Sequence, residues 1–196
     1  MKYGEITFGQ MEAIINKLGG MEGVQRFLSG EIVVKAPEHT LKVWKKIKLG
    51  THKDADALRK ALKKADFKIG NWGNDILGKP AFTVAIAEEE IQLVNLSVAE
   101  LGFKDGATYG NICAKAKELG LELCPNEVGP QLRLQYKDQP KGEWLRIAME
   151  PIADSDGNPD IFTVGHDDVD LWLRGFDGDA DRFWIAGNRF VFRLRK

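Results

Sequence analysis

The sequence predicts an α+β fold in two parts, and three observations support this. Helical and β-rich patterns are interspersed along the chain. The charge balance reverses near Gly78–Pro80: residues 1–80 hold 15 Lys and Arg against 9 Asp and Glu, while residues 81–196 hold 13 against 20. The last stretch, 171–196, contains Trp172 and Trp184 among small polar residues and closes on the alternating run RFVFRL. The reversal places a boundary at residue 80, between a basic α/β N-terminal domain (1–80) and a second domain (81–196).

The bulk properties narrow the class. At 196 residues the chain can form one large domain or two small ones. Its hydrophobic content of 43% is that of a globular protein. No apolar run approaches the roughly 20 residues that span a bilayer. The N-terminal MKYGEITFGQMEAI lacks the apolar core and cleavage site of a signal peptide. The expected location is the cytoplasm or a particle assembled there. Cys113 and Cys124 do not make a disulfide framework or a four-ligand zinc site, and buried thiols are expected.

Taken in order, 7–18 (TFGQMEAIINKL) reads as an amphipathic helix that Gly19-Gly20 ends. A second covers 21–28, and 31–35 (EIVVK) is strand-like. In 41–49 (LKVWKKIKL) apolar residues alternate with Lys, as in a strand with one wet face. Trp44 among Lys42, Lys45, Lys46 and Lys48 gives this strand a second reading, as a site that stacks on or clamps nucleic acid. Residues 51–65 form the clearest helix of this half: Thr51 can cap it, and Leu58 with Leu62 makes an i, i+4 pair. Residues 71–77 add a short helix, too poor in Arg and Lys to read a DNA groove.

Past residue 80, 81–87 (AFTVAIA) and 91–97 (IQLVNLS) are β-rich. Asp105-Gly106 is a turn. Residues 108–120 form a helix capped by Thr108, and Cys124-Pro125-Asn126 leads into another with Val128, Leu132 and Leu134 as its apolar positions. Gly129-Pro130 is tolerated only in its first turn. Residues 144–149 and 161–164 are strands flanking the turn 154–159. The alternation of 189–194 marks a strand with one buried face.

This order, with "G-L-x-L-C-P-x-E" between two helices and Trp-bearing strands ending in "R-F-V-F-R-L", resembles the C-type lectin fold in its prokaryotic form, shared with formylglycine-generating enzymes. The similarity covers roughly 91–196. Cys124-Pro125-Asn126-Glu127 stands where that family has Leu-Pro-Thr-Glu, and the Trp that usually follows is missing. The branch most similar is the variable proteins of diversity-generating retroelements. The resemblance implies a C-terminal region, about 171–196, whose codons are rewritten at adenines and whose side chains form a ligand-binding surface. Between 174 and 188, every residue except Trp184 belongs to the set reachable from an Asn codon by adenine changes. The implied contact residues are Arg174, Phe176, Asp177, Asp179, Asp181, Arg182, Phe183, Ile185 and Asn188. Leu171–Leu173, Trp184 and 190–194 are the implied scaffold. The implied function is recognition of a variable macromolecular ligand, a protein in the first instance.

Catalytic chemistry is not expected. There is no Gly-x-Ser-x-Gly, no phosphate-binding glycine loop and no His-Glu-x-x-His. The paired cysteines of formylglycine-generating enzymes would fall later than Cys113 and Cys124. No cofactor is implied. Asp154, Asp156, Asn158 and Asp160 offer oxygens at alternate positions, as calcium sites do, but Gly165 stands where an EF-hand needs Glu. A cation site and a plain polar turn both remain open.

Overall fold

A computed structural model of the chain describes residues 6–33 and 41–195. The chain divides into two compact units, 1–40 and 41–196. The charge reversal near residue 80 therefore falls inside the second unit, because 41–80 contributes strands to its sheet.

The described part of the first unit is a helix pair, α1 (Phe8–Leu18) and α2 (Gly20–Leu28). Thr7 caps α1 by accepting from the Gln10 backbone N–H, and the Gln10 side chain accepts from the Thr7 N–H in return. Gly19, at φ 89°, turns the chain between the helices in a conformation that favours glycine. Of the strand expected at 31–35, residues 31–33 form none, and Val34 and Lys35 lie outside the described residues.

The second unit is mixed α+β. Its strands are β1 (Lys45–Leu49), β2 (Lys68–Ile69), β3 (Glu89–Ser97), β4 (Ala107–Thr108), β5 (Leu121–Glu122), β6 (Trp144–Ile147), β7 (Ile152–Ala153), β8 (Pro159–His166), β9 (Leu171–Asp177), β10 (Phe183–Trp184) and β11 (Arg189–Leu194). Its helices are α3 (Ala55–Lys64), α4 (Asn71–Leu77), α5 (Tyr109–Glu118) and α6 (Val128–Gln135). The main sheet runs β1-β3-β11-β6-β8-β9-β2 and curls into a half barrel, with β5 beside β11 and β7 beside β8. The β11–β6 and β2–β9 pairs are parallel and the rest antiparallel. β4 and β10 form a separate two-stranded ribbon.

Helix α6 lies on the sheet against β1, β8 and β9, with α3 packed on α6 and α4 on β9. Gly129 in the first turn of α6 permits this contact, since a Cβ there would stand 2.5 Å from the Phe162 ring. β11 departs from its expected single buried face: Phe190, Val191 and Phe192 are all buried. Both faces of the strand are covered, for Tyr109 stacks on Phe190 at 5.8 Å on one while Val191 joins the core on the other. Burying side chains of this size contributes about 1.5–3 kcal/mol each.

Two further expectations change for one reason. Asp54, not Thr51, caps α3, accepting from the Ala57 N–H at 2.8 Å. The Thr51 hydroxyl is engaged by the Gln131 amide at 2.8 Å. Residues 81–87 form no strand, because α6 and its lead-in take up their backbone groups. The Thr83 N–H donates to Asn126 Oδ1, and the Asn126 amide to the Ala81 carbonyl. The Ala85 N–H donates to Glu127 Oε2 at 2.8 Å. Glu127, 1% exposed, also accepts from the Gly50 N–H and the Gln131 amide, each at 2.8 Å.

Replacing Glu127 removes the acceptor for two backbone donors. Glu127→Ala is expected to lower unfolding stability by about 3–5 kcal/mol, and Glu127→Gln by about 1–2 kcal/mol because one oxygen remains. Urea unfolding of the two variants measures the difference.

Candidate functional site

The segment from the end of β9 to the start of β11 has exposed side chains on a backbone fixed from behind. The first N–H groups of α5 lack partners within the helix. The Tyr109 N–H donates to the Arg182 carbonyl and the Gly110 N–H to the Ala180 carbonyl, both at 2.9 Å. Further on, the Val98 and Ala99 N–H groups donate to the carbonyls of Asn188 and Ala186, both at 2.9 Å. Between these anchors β10 pairs with β4. Phe183 folds over Gly106, whose φ of 101° and lack of a side chain admit the ring.

The expected contact residues divide. Phe176, Phe183 and Ile185 are large apolar side chains exposed by 43%, 55% and 64%. Asp179, Asp181 and Arg182 are exposed as well, and Arg174, Asp177 and Asn188 are half-buried. Asn188 Oδ1 accepts from the Ile185 N–H at 3.1 Å, which gives that side chain a part in the turn. Asp177 and Asp179 likewise accept from backbone N–H groups two residues on.

The scaffold positions are redrawn in part. Trp184 is 3% exposed and packs on Phe190 and Phe176 at 5.4 Å each, with the Arg146 guanidinium 5.0 Å from its ring centroid. Gly175 and Gly178 fall within the stretch assigned to contact but have no room to vary. A Cβ on Gly175 would stand 2.8 Å from Trp72, and one on Gly178 would stand 2.6 Å from Ile161. Trp172, assigned to scaffold, is half-buried and carries the Arg174 guanidinium 4.2 Å from its ring centroid. Arg174 also lies 4.7 Å from the Trp144 ring.

Sequence reasoning missed Trp72. It is 48% exposed on α4, and α4 meets β9 so closely that a Cβ on Gly73 would stand 2.9 Å from the Arg174 backbone. Only this long-range contact brings Trp72 beside the C-terminal segment. Together they enclose a cleft of about 620 Å³, lined by Trp72, Phe176, Arg182, Asp154, Asp160 and Asp177 among others. A second of about 360 Å³ lies between Trp72 and Trp172. In a single sequence, a Trp flanked by glycine and Asn was the one available sign.

Asp160 is the unusual group of the cleft. It is 6% exposed, and its Oδ2 has no hydrogen-bond partner. Burial, aided by the carboxylates of Asp154, Asp177 and Asp75, pushes its carboxyl up from 3.8 to about 6. Asp154 instead closes a polar turn, its Oδ1 accepting from the N–H groups of Asp156 and Asn158 at 2.8 Å each. Those bonds show that 154–158 form a polar turn. Among the described residues no group of three His, Cys, Asp or Glu side chains could hold a metal ion. Nearby, His166 Nδ1 bonds the Gln139 carbonyl and Asp167 Oδ2 accepts from the Trp172 indole.

The remaining candidates are structurally occupied. The thiol of Cys113 is pushed up to about 11 by burial, and that of Cys124 still higher. On β1, Lys45, Lys46 and Lys48 face Asp138, Glu90 and Glu88. Trp44 packs edge-on against Tyr136 at 5.3 Å, while Lys42 is exposed. These carboxylates offset the positive field that phosphate binding needs. No helix among the described residues is long and apolar enough to cross a membrane. Comparison with known protein families, curated proteins and solved structures finds no match to this chain.

The raised Asp160 carboxyl sets a sign for stability. Well below pH 3.8 the group is neutral whether the chain is folded or unfolded. As pH rises from 3.8 to about 6 the unfolded chain ionises first, so stability falls, and the loss is complete above that window. Asp160→Asn is expected to raise unfolding stability at pH 7.5 by about 1–2 kcal/mol, after allowance for solvent screening in the open cleft, and to change little at pH 4. Denaturant titrations at the two pH values read this directly.

Proposed function

We propose that this protein is a ligand-binding module whose contact surface is the C-terminal segment, with Phe176, Asp179, Asp181, Arg182, Phe183 and Ile185 displayed toward a macromolecular target, in the first instance a protein. The observation that carries this reading is the pinned backbone. Carbonyls at 180, 182, 186 and 188 are held by α5 and by residues 98–99, while the side chains of Asp181, Arg182, Phe183 and Ile185 are exposed and Trp184 alone of 181–185 enters the core. A surface fixed before binding loses little conformational entropy when a partner arrives. Exposed aromatic and aliphatic side chains among Asp and Arg supply anchors with polar neighbours.

The reading extends to a C-type-lectin-like architecture and to diversification by a retroelement. The order α5, the 121–127 link, α6 and then the Trp-bearing strands supports the former. The exposure of most residues between 174 and 188, with Trp184 buried, supports the latter. A genome encoding this chain is expected to hold a near-copy of the DNA for 171–196 beside a reverse-transcriptase gene, differing at adenines. A complete genome without one removes the retroelement part and leaves the binding module to be tested on its own.

That test is mutational. Trp184→Ala is expected to cost about 3–5 kcal/mol of stability through the cavity it leaves. Gly178→Ala should cost about 1–3 kcal/mol by overpacking against Ile161. Asp179→Ala should cost no more than about 1 kcal/mol. A library randomised at 176, 179, 181, 182, 183 and 185 should yield folded binders to chosen proteins. If single changes at these exposed positions destabilise as much as the Trp184 change, the display reading fails.

A further inference from the structure

The cleft beside the displayed segment contains an electrostatic conflict. In the β8–β9 ladder Asp160 stands directly opposite Asp177. Like charges at opposed positions destabilise a strand pair. Asp177 is relieved, since Arg182 Nη1 lies 3.5 Å from its Oδ2 and its Oδ1 accepts from the Asp179 N–H. Asp160 is not: it is more than nine-tenths buried, lines the cleft, and leaves Oδ2 without a donor. Buried polar atoms without a partner are rare in folded proteins and call for an explanation.

We propose that this cleft is a subsite for an organic cation, a guanidinium or primary ammonium group presented by the ligand, with Asp160 as its counter-charge and Trp72 and Phe176 as flanking aromatic faces. The proposal rests on the binding-module reading and names the chemistry one part of that surface takes up. Trp72 and Phe176 are both about half exposed and line the same space. Aromatic faces attract diffuse cations through the ring quadrupole. The volume of about 620 Å³ accommodates a guanidinium with its alkyl stem. Arg182, the cation already at the rim, sits 5.4 Å from the Phe176 ring centroid and pairs with Asp177, so it does not take the Asp160 position.

A hard metal ion fits less well. Calcium needs six or more oxygens. The Asp154 carboxylate is turned onto Asp156 and Asn158, and two of the cleft walls are aromatic. The groups facing Asp160 are Asp154 from the turn after β7, Asp177 from β9, Asp75 from α4, and Arg182 from the loop before β10. A bound cation favours the ionised carboxyl, so uptake should release a proton and weaken below about pH 6.

The test uses benzamidinium as the probe and neutral benzamide as its isostere, followed by amide chemical shifts of the full chain at pH 7.5. Benzamidinium is expected to give saturable shifts confined to residues around 72, 160 and 175–177, with benzamide at least tenfold weaker. Asp160→Asn, which keeps the fold, should weaken benzamidinium by about tenfold or more, and Trp72→Ala by about two- to fivefold. Equal binding of benzamide, unchanged affinity in Asp160→Asn, or displacement of the probe by calcium would each overturn the proposal. Library selection confined to 181, 183 and 185, which do not line the cleft, is independent of this result. Binders without benzamidinium uptake leave the module and remove the subsite, and uptake without binders does the reverse.

Discussion

The second unit depends on one buried carboxyl group. Glu127 lies at the lead-in to α6 and gathers the N–H of Gly50, the N–H of Ala85 and the amide of Gln131. Each of these belongs to a different piece of chain: the turn after β1, the strap before β3, and the next turn of α6. A charged or polar group taken so far from water is tolerated only when its lone pairs are filled. The three donors fill them, and in doing so fix where α6 lies on the sheet. From that placement follow the Phe162 contact at Gly129, the covering of β8 and β9, and the position of the strand end that enters the cleft.

Elements whose causes are local could be read from the sequence. Thr108 caps α5 where it was expected, because capping involves groups three residues apart. Gly129-Pro130 sits in the first turn of α6, as proline requires. Elements whose causes are distant could not be read. Thr51 resembles a cap until Gln131, eighty residues away, takes its hydroxyl. Residues 81–87 have strand composition, yet Asn126 and Glu127 claim their backbone groups. The alternation in β11 indicated one buried face, whereas core side chains cover both.

The site shows the same division. The buried Trp184 and the exposed residues around it were distinguishable by residue type in one short stretch. Trp72, Asp160 and the glycines at 175 and 178 were not, since their roles arise only where α4 and β8 meet β9. The cleft is therefore a property of topology, and the loop beside it largely a property of local sequence. A binding surface assembled from both can change Asp181, Phe183 and Ile185 while the cleft, which includes Phe176 and Arg182, stays constant.

β11 has a consequence for how the chain reaches this state. It lies between β3 and β6, elements formed from residues about one hundred and about fifty positions earlier. Until 189–194 has been synthesised, those two strands each present an open edge with unpaired N–H and C=O groups. Closure must wait for a contact between distant parts of the chain, which makes folding slow relative to helix-rich domains. During that interval the growing polypeptide is exposed to edge-to-edge association. Arg189 and Arg193, at either end of β11, pair with Glu100 and with Glu89 and Glu122. These pairs favour the correct register of the strand as it enters the gap, so the segment beside the displayed surface also helps to close the sheet.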